Sequence, residues 1–238
     1  MAEQALTGEV PRIRRARGFR LSTAAGRRLL DLWQAGGEAV LGHLPARAGA
    51  ALKASLDRGL AAPLPTAWQA RLLAALAARF PAYRSIRLYA TRERALDAAA
   101  RVLGHAMAAA DVADPGLGTR GTGLVGLWRP FLGGEPDWTV LLPVLPLTLC
   151  GSPAAACFRD ALPDSVVPSD TVPGAAAVAA LRGLAGLERA RLIDPFGRRV
   201  FDGCTGWERR GPYLAPSFAA AAYPEVFRAF LARGVLLS

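Results

Sequence analysis

The stretch that decides the fold is "LAALAARFPAYRSIRLYATRERALDAAARVLG", residues 73–104. Its first part continues a helix that opens at Thr66, and Gln69 three residues later completes the pattern of a capping box. A proline ends this helix, and "SIRLYA" (85–90) then has the composition of a strand. A second helix begins at about Arg92. A helix, a strand and a helix in this order predict a mixed α/β sheet with helices packed on it.

The segments upstream of this stretch predict strands and one further helix. Residues 18–33 are typical of two short strands joined by a turn at Gly26. A helix follows Pro45, because apolar residues recur four apart along one side of it. The residues of this predicted buried row are Ala48, Leu52 and Leu56.

Downstream, residues 111–126 contain clustered glycines and no periodicity, which predicts a loop. The strand-like pieces "TVLLPVL" and "LTLCG" follow, and then a helix over 174–189. A last helix over 224–233 leads into the strand "GVLLS". Since the sequence ends inside this predicted strand, either the natural chain is short or it continues beyond the sequence.

The composition indicates a globular protein. Hydrophobic residues make up 52% and charged residues 20%, which favours a sizeable core and excludes a disordered chain. The most apolar run, residues 138–150, is too short to cross a bilayer and is interrupted by prolines, so no membrane span is expected. The first residues lack the apolar core of a signal peptide, and we expect a cytoplasmic protein.

The three cysteines, Cys150, Cys157 and Cys204, are not spaced as a disulfide framework or as a zinc site. The two histidines lie far from them in the sequence. We therefore expect no metal, and we expect the cysteines to be small buried side chains in a reducing compartment.

The net charge of +10 raises the question of nucleic acid. Only one dense basic run is present, "PRIRRARGFR" (11–20), and it shows neither a groove-reading element nor a set of aromatic residues for stacking. We expect no specific nucleic-acid recognition. Weak, salt-sensitive binding of polyanions remains an alternative function.

The order of these segments resembles that of class III aminotransferases, pyridoxal-phosphate enzymes of fold type I that include glutamate-1-semialdehyde aminomutase and the ornithine and acetylornithine transaminases. Residues 18–60 are similar to the beginning of that family, the stretch quoted first is similar to its first large-domain helix, strand and helix, and "YPEVFRAFLARGVLLS" (223–238) is similar to its C-terminal helix and strand. The matching positions in the first region are Gly26, Asp31, Gly37, Leu41, Gly42 and His43.

The resemblance implies a trimmed fold type I architecture of the α/β class. A reduced mixed sheet flanked by helices would occupy residues 63–189, and a small α+β domain would be built from both termini, residues 1–62 with 190–238. Fold type I enzymes form dimers, so the resemblance also implies a homodimer or a pairing with a partner aminotransferase subunit.

The family's chemistry requires a lysine that holds pyridoxal phosphate, and this chain departs from that requirement. Lys53 is the single lysine among 29 basic residues, and it matches a surface position on an early helix of the family. Arginine does not replace it, because arginine stays protonated. We therefore expect no catalytic residue and no covalently held cofactor.

The cofactor-binding and substrate-binding candidates also come from the resemblance. The family grips phosphate with "SGTEA", and "TRERA" stands here, so Thr91 and Arg92 are the candidates for binding pyridoxal phosphate non-covalently or another anion. The substrate-binding candidates are Gly36, Gly37 and His43. No acidic residue can be matched to the family's partner for the pyridine nitrogen.

Two other motifs have simpler interpretations. The run "GLGTRG" (116–121) satisfies the dinucleotide pattern, but the strand before it and the helix after it that such a site needs are not predicted, which favours a flexible joint. Asp194, Asp202 and Glu208 lie among arginines and are interpreted as surface ion pairs.

These observations favour a non-catalytic aminotransferase-like protein with a role in ligand binding, assembly or regulation. One alternative is a pyridoxal-phosphate-dependent class III transaminase, or a subunit of a split one whose lysine comes from a partner chain. A second alternative is a polyanion-binding module.

Overall fold

The computed structural model describes residues 6, 8–132, 137–147, 152–191 and 205–237. Five helices and eleven strands are assigned within these ranges. The helices are α1 Ala46–Leu56, α2 Ala67–Arg79, α3 Arg92–Leu103, α4 Gly174–Arg191 and α5 Tyr223–Ala232. The strands are β1 Ile13–Arg17, β2 Arg20–Thr23, β3 Arg28–Asp31, β4 Ser85–Tyr89, β5 Val112–Ala113, β6 Val125–Trp128, β7 Val140–Pro143, β8 Ala154–Phe158, β9 Trp207–Arg210, β10 Tyr213–Pro216 and β11 Val235–Leu236.

The larger sheet has five strands in the order β4-β8-β7-β6-β5. Strand β8 is antiparallel to both of its neighbours, whereas β7, β6 and β5 are parallel to one another. Strand β4 therefore runs in the same direction as β5, β6 and β7. Strands β6 and β7 are buried along their whole length, which is typical of a sheet covered on both faces.

Helices cover the two faces of this sheet and form two cores. On one face, α1, α2 and α4 contribute Leu52, Leu76 and Ala177 to a cluster with Leu88 of β4 and Cys157 of β8. On the other face, α3 packs its alanines against β6, β7 and β8. The mixed α/β sheet flanked by helices is thus confirmed.

The smaller sheet has four strands in the order β1-β2-β3-β11. Strand β11 comes from the other end of the chain and pairs in parallel with β3. Leu21, Leu29 and Leu236 face a core that also contains Phe227 of α5. A small α+β unit built from both termini is therefore present, as the resemblance implies.

Helix α1 packs chiefly on α4, although it lies within the predicted small domain. Ala48 and Leu52 are buried as predicted, but Leu56 is 47% exposed and Ser55 is buried in its place. Leu56 is the last residue of the helix. The domain boundaries at 62/63 and 189/190 remain a prediction.

The capping box at α2 is half formed. The hydroxyl oxygen of Thr66 accepts the backbone N–H of Gln69, as predicted. The side chain of Gln69 does not accept the backbone N–H of Thr66, as a complete capping box would require. It instead donates to the carbonyl of Asp170 and accepts the N–H of Val172. A long-range contact has therefore taken the place of the local one.

Several strands lie where the sequence analysis predicted none. Strand β1 occupies the arginine run, β5 lies inside the predicted loop, and β8 and the β9–β10 hairpin were not expected. The predicted piece "LTLCG" falls almost entirely outside the described residues.

Cys157 is a free thiol buried on β8, as expected for a small core side chain. Its burial raises the pKa of the thiol far above the usual range. Cys150, Cys204, Asp194 and Asp202 lie outside the described residues. Within the described ranges, no group of His, Cys, Asp and Glu is arranged to hold a metal ion, and no helix is long and apolar enough to cross a membrane.

Two glycines of α4 give a matched test of this packing. A Cβ at Gly183 would lie 2.7 Å from the backbone carbonyl oxygen of Pro146, whereas a Cβ at Gly186 would meet only a methyl group of Leu41 at 2.9 Å. In a helix interior, alanine is more stabilising than glycine by about 1 kcal/mol. We therefore expect Gly186→Ala to raise or preserve the free energy of unfolding, and Gly183→Ala to lower it by about 1–3 kcal/mol through overpacking.

Urea denaturation of the two variants beside the unmodified protein is the measurement. Equal stability of the two variants would show that α4 is not seated against Pro146 as described.

Candidate functional site

The candidate site lies at one edge of the larger sheet, where β4, β5 and β6 end. The chain leaves β4 toward Arg92, leaves β5 at Asp114 and leaves β6 at Arg129. Because these strands run in the same direction, their carboxyl ends meet at one edge, and ligands of open α/β sheets bind at such edges.

The centre of the site is a buried ion pair between Asp114 and Arg129. The Nε of Arg129 donates to Oδ1 of Asp114 at 3.0 Å, and its Nη2 donates to Oδ2 at 2.5 Å. The two side chains are only 7% and 9% exposed. Two parallel hydrogen bonds between charged groups in a buried setting form a strong and geometrically specific contact.

Burial alone would raise the pKa of the Asp114 carboxyl, but the hydrogen bonds and charge of Arg129 and the backbone amides of Gly116 and Leu117 outweigh it and hold the pKa below its ordinary value. Gly116 donates its N–H to Asp114 Oδ1 at 2.9 Å. The backbone of Asp114 also exchanges two hydrogen bonds with Thr119, which closes the loop behind the carboxylate. The loop therefore presents Asp114 to Arg129 in one fixed orientation.

Arg129 also joins the sheet to the turn over Gln34–Gly37, because its Nη1 donates to the carbonyl oxygen of Gly36. All four residues of this turn have positive φ, including Gln34 and Ala35 at 50°. Non-glycine residues in this region cost about 1–3 kcal/mol each, so the turn requires support from its surroundings. A Cβ at Gly37 would overlap the Arg129 guanidinium, which explains the glycine there.

Tyr213 of β10 covers the guanidinium from a third direction. The Cζ of Arg129 lies 5.5 Å from the centre of the Tyr213 ring, a cation–π arrangement. The Tyr213 hydroxyl donates to the carbonyl of Pro130 at 3.0 Å. Burial raises the pKa of this hydroxyl far above its usual value, so it remains a donor. Arg129 is thus held by the larger sheet, the early turn and the late hairpin.

Arg92 and Glu38 complete a cluster of alternating charge around this pair. Burial and the charge of Arg129 lower the pKa of the Arg92 guanidinium, and Asp114 and Glu38 oppose that effect. Burial raises the pKa of the Glu38 carboxyl, and Arg92 and Arg129 oppose it. The charges of Arg92 and Arg129 are therefore opposed by those of Glu38 and Asp114.

The N-terminus of α3 is occupied by side chains of its own first turn. The hydroxyl oxygen of Thr91 accepts the N–H of Arg94 at 3.3 Å. The Glu93 carboxylate accepts the Thr91 hydroxyl and its own backbone N–H, and these bonds lower its pKa. Thr91 is therefore a helix cap, and the Glu93 carboxylate already uses one of the backbone donors that an external anion would need.

His43 lies apart from the ion pair and binds Asp31. Its Nε2 is 2.6 Å from Oδ2 of Asp31, a fully buried residue whose Oδ1 accepts the N–H of Gln34 at 2.9 Å. His43 thus supports the positive-φ turn through Asp31. Of the candidate residues, Gly36, Gly37 and Arg92 come together around Arg129. His43 instead lies against Asp31 of β3.

Sequence reasoning missed the residues at the centre of the site, namely Asp114, Arg129, Tyr213 and Glu38. One signal was available, because Asp114 and Arg129 each follow directly on a short apolar segment. A charged residue that immediately follows a buried strand is a candidate for the carboxyl edge of a sheet.

The run "GLGTRG" connects β5 to β6 and no helix follows it. The strand–turn–helix geometry of a dinucleotide site is therefore absent in this described loop. The interpretation as a flexible joint remains a prediction.

Comparison with solved structures identifies the class of fold. An ornithine aminotransferase from Plasmodium yoelii matches with a TM-score of 0.67 at 12% identity, over 99% of this chain and 90% of that chain. A glutamate-1-semialdehyde aminomutase from Pseudomonas aeruginosa matches with a TM-score of 0.60 at 13% identity, over 96% and 81%. A transaminase with pyridoxal phosphate bound matches with a TM-score of 0.61 at 15% identity, over 95% and 84%. The fold is that of the class III aminotransferases.

Comparison with protein sequences identifies a relative of this chain. An uncharacterized protein from Treponema pallidum (strain Nichols) is 32% identical over 274 residues, which cover 95% of this chain and 85% of that protein. The chain belongs to the same family as this protein. No family model matches the sequence.

The buried ion pair gives a testable prediction about stability. Asp114→Ala would leave the Arg129 guanidinium buried without its carboxylate, and we expect the free energy of unfolding to fall by about 3–5 kcal/mol. The double variant Asp114→Leu with Arg129→Met removes both charges, and we expect a smaller loss. Chemical denaturation at neutral pH compares the two.

The same pair predicts a dependence on pH. Because folding lowers the pKa of Asp114, its stabilising contribution is complete above the ordinary aspartate pKa of about 4 and is lost as the pH falls below it. We expect Asp114→Asn to flatten this acid limb. An unchanged acid limb would contradict the assignment.

Proposed function

We propose that this protein is a non-catalytic member of the aminotransferase fold with a role in assembly, in which the cleft at the carboxyl edge of the sheet has become a structural joint. The observation that carries the proposal is the Asp114–Arg129 pair, which joins the sheet to the turn at Gly36 and lies under Tyr213. The carboxylate of Asp114 and the guanidinium of Arg129 bind each other at this edge.

The residues present do not fit a covalently held pyridoxal phosphate. That chemistry needs a primary amine in a dry cleft, and Lys53 is the only lysine of the sequence. Lys53 is exposed on α1, and its backbone carbonyl accepts the N–H of Asp57 as part of an ordinary helix end. No step of transamination can be assigned to a residue of this chain.

The residues at α3 do not fit the phosphate group either. A phosphate is stabilised by free backbone donors and by net positive charge. Thr91 and Glu93 use the donors of this helix start, and the positive charges of Arg92 and Arg129 face Glu38 and Asp114. These features disfavour non-covalent pyridoxal phosphate, the alternative that the similar enzymes suggest.

A cofactor test follows directly. We expect no visible absorbance band and no borohydride-reducible adduct when pyridoxal phosphate is added to the purified protein. Lys53→Arg is the matched control, because it keeps the charge and removes the amine. The unmodified protein and this variant should be indistinguishable by absorbance and by intact mass.

A stoichiometric adduct on Lys53 that the control variant lacks would overturn the proposal. An adduct that appears only when a second polypeptide co-purifies would favour the split transaminase instead.

For the assembly we propose a homodimer, which the dimers of fold type I enzymes suggest. The segment that surrounds α1 exposes Leu44, Leu56 and Leu64, which are 50%, 47% and 57% exposed. We infer that these three side chains form one contiguous apolar patch, and such patches mark protein interfaces. We therefore assign this segment to the contact between two copies.

Sedimentation of two matched variants tests the assignment. Leu56→Glu should shift the protein from dimer to monomer, whereas Leu117→Glu should not, although Leu117 is also 50% exposed. A monomeric unmodified protein, or equal effects of both substitutions, would contradict it.

A further inference from the structure

The solvent face of the small sheet carries four arginines, which the strand register places together. Directly paired residues point to the same face, so Arg15, Ser22 and Arg28 form one row across β1, β2 and β3. The next row contains Arg17, Arg20, Leu30 and Val235. We call Arg15, Arg17, Arg20 and Arg28 the arginine face, and all four are exposed.

None of the four arginines of the face has an ion-pair partner in the part of the chain that the structure describes. Some other arginines have carboxylate partners, such as Arg94 with Asp170 and Arg228 with Glu9. Arg17 and Arg20 lie directly opposite each other, an arrangement of like charges that destabilises a sheet. A cost retained without internal compensation indicates a role outside the fold.

Protection of the sheet edge does not explain the whole arginine face. Charged side chains on an edge strand prevent pairing with other chains, and this accounts for Arg15 and Arg17 on β1. Arg20 and Arg28 lie on the inner strands β2 and β3, whose edges are already paired. What they share with the β1 arginines is therefore the face of the sheet on which they lie.

The chemistry of the arginine face matches a chain of phosphates. Residues two apart on a strand are separated by about 7 Å and neighbouring strands by about 5 Å, so the guanidinium groups form a surface of closely spaced donors. Phe19 lies in the turn between Arg17 and Arg20 and is 44% exposed. An exposed aromatic ring beside cationic groups is the combination on which single-stranded bases stack.

We propose that the arginine face and Phe19 bind single-stranded nucleic acid without sequence preference. The exposed ring favours this ligand over an acidic polypeptide, which needs the charges alone. The proposal is independent of the assembly described above. It also agrees with the expectation that specific nucleic-acid recognition is absent.

Fluorescence anisotropy of a labelled oligodeoxythymidylate with the full chain tests the proposal. Four phosphate contacts predict a slope of log affinity against log salt of about −3, and thus a loss of about 50-fold between about 50 and about 200 mM salt. The variant with all four arginines of the face changed to glutamine should bind at least about 10-fold more weakly at low salt and lose most of this slope.

The matched control changes Arg47, Arg58, Arg84 and Arg120 to glutamine. These exposed side chains have no ion-pair partner among the described residues, and the control removes the same four charges from the net charge of +10. We expect it to keep the affinity and slope within about 2-fold of the unmodified protein. Phe19→Ser should weaken binding by about 5-fold or more without changing the slope.

Three results would overturn the proposal. Equal losses in the two arginine variants would attribute the binding to net charge alone. Polyglutamate that competes as well as the oligonucleotide would indicate an acidic protein partner. An unchanged affinity in the face variant, with its fold verified by circular dichroism, would exclude the arginine face.

Discussion

The requirement that a buried arginine be fully paired organises this molecule. Arg129 is removed from water, so its donors need acceptors that the fold must supply. Asp114, which follows the neighbouring strand β5, provides both carboxylate oxygens as acceptors. The carbonyl oxygen of Gly36 is a third acceptor, and it belongs to a turn almost a hundred residues earlier. Tyr213 covers the same group from the C-terminal part of the chain. One guanidinium therefore fixes the relative positions of three distant segments.

Under the proposed function, an enzyme fold persists without an enzyme's site. The carboxyl edge of the sheet is where such folds place ligands, because strand ends and helix starts meet there. Here the edge carries charged groups that neutralise one another, together with a helix start capped by Thr91 and Glu93. The likeness to class III aminotransferases describes the scaffold, and the side chains decide what the scaffold does.

The sequence predicted the elements whose signals are local. The helices α1, α2 and α5 follow from spacing, and the cap at Thr66 is visible as a pattern. Strand β8 was missed because "AAACF" lacks β-branched residues, and β1 because an arginine run shows no apolar alternation. The ion pair was missed since Asp114 and Arg129 meet only through the parallel register of β5 and β6. Pairings of that kind depend on the register of the sheet, so the sequence around either residue alone does not predict them.

The pairing of β11 with β3 has a consequence for biosynthesis. Leu30 donates its N–H to the carbonyl of Gly234, so this part of the small sheet joins segments about two hundred residues apart. On the ribosome, β3 emerges early and keeps one edge open until β11 has been translated. The small sheet can therefore be completed only after the C-terminal strand β11 has been synthesised. Until then, this unpaired edge is open to pairing with other chains.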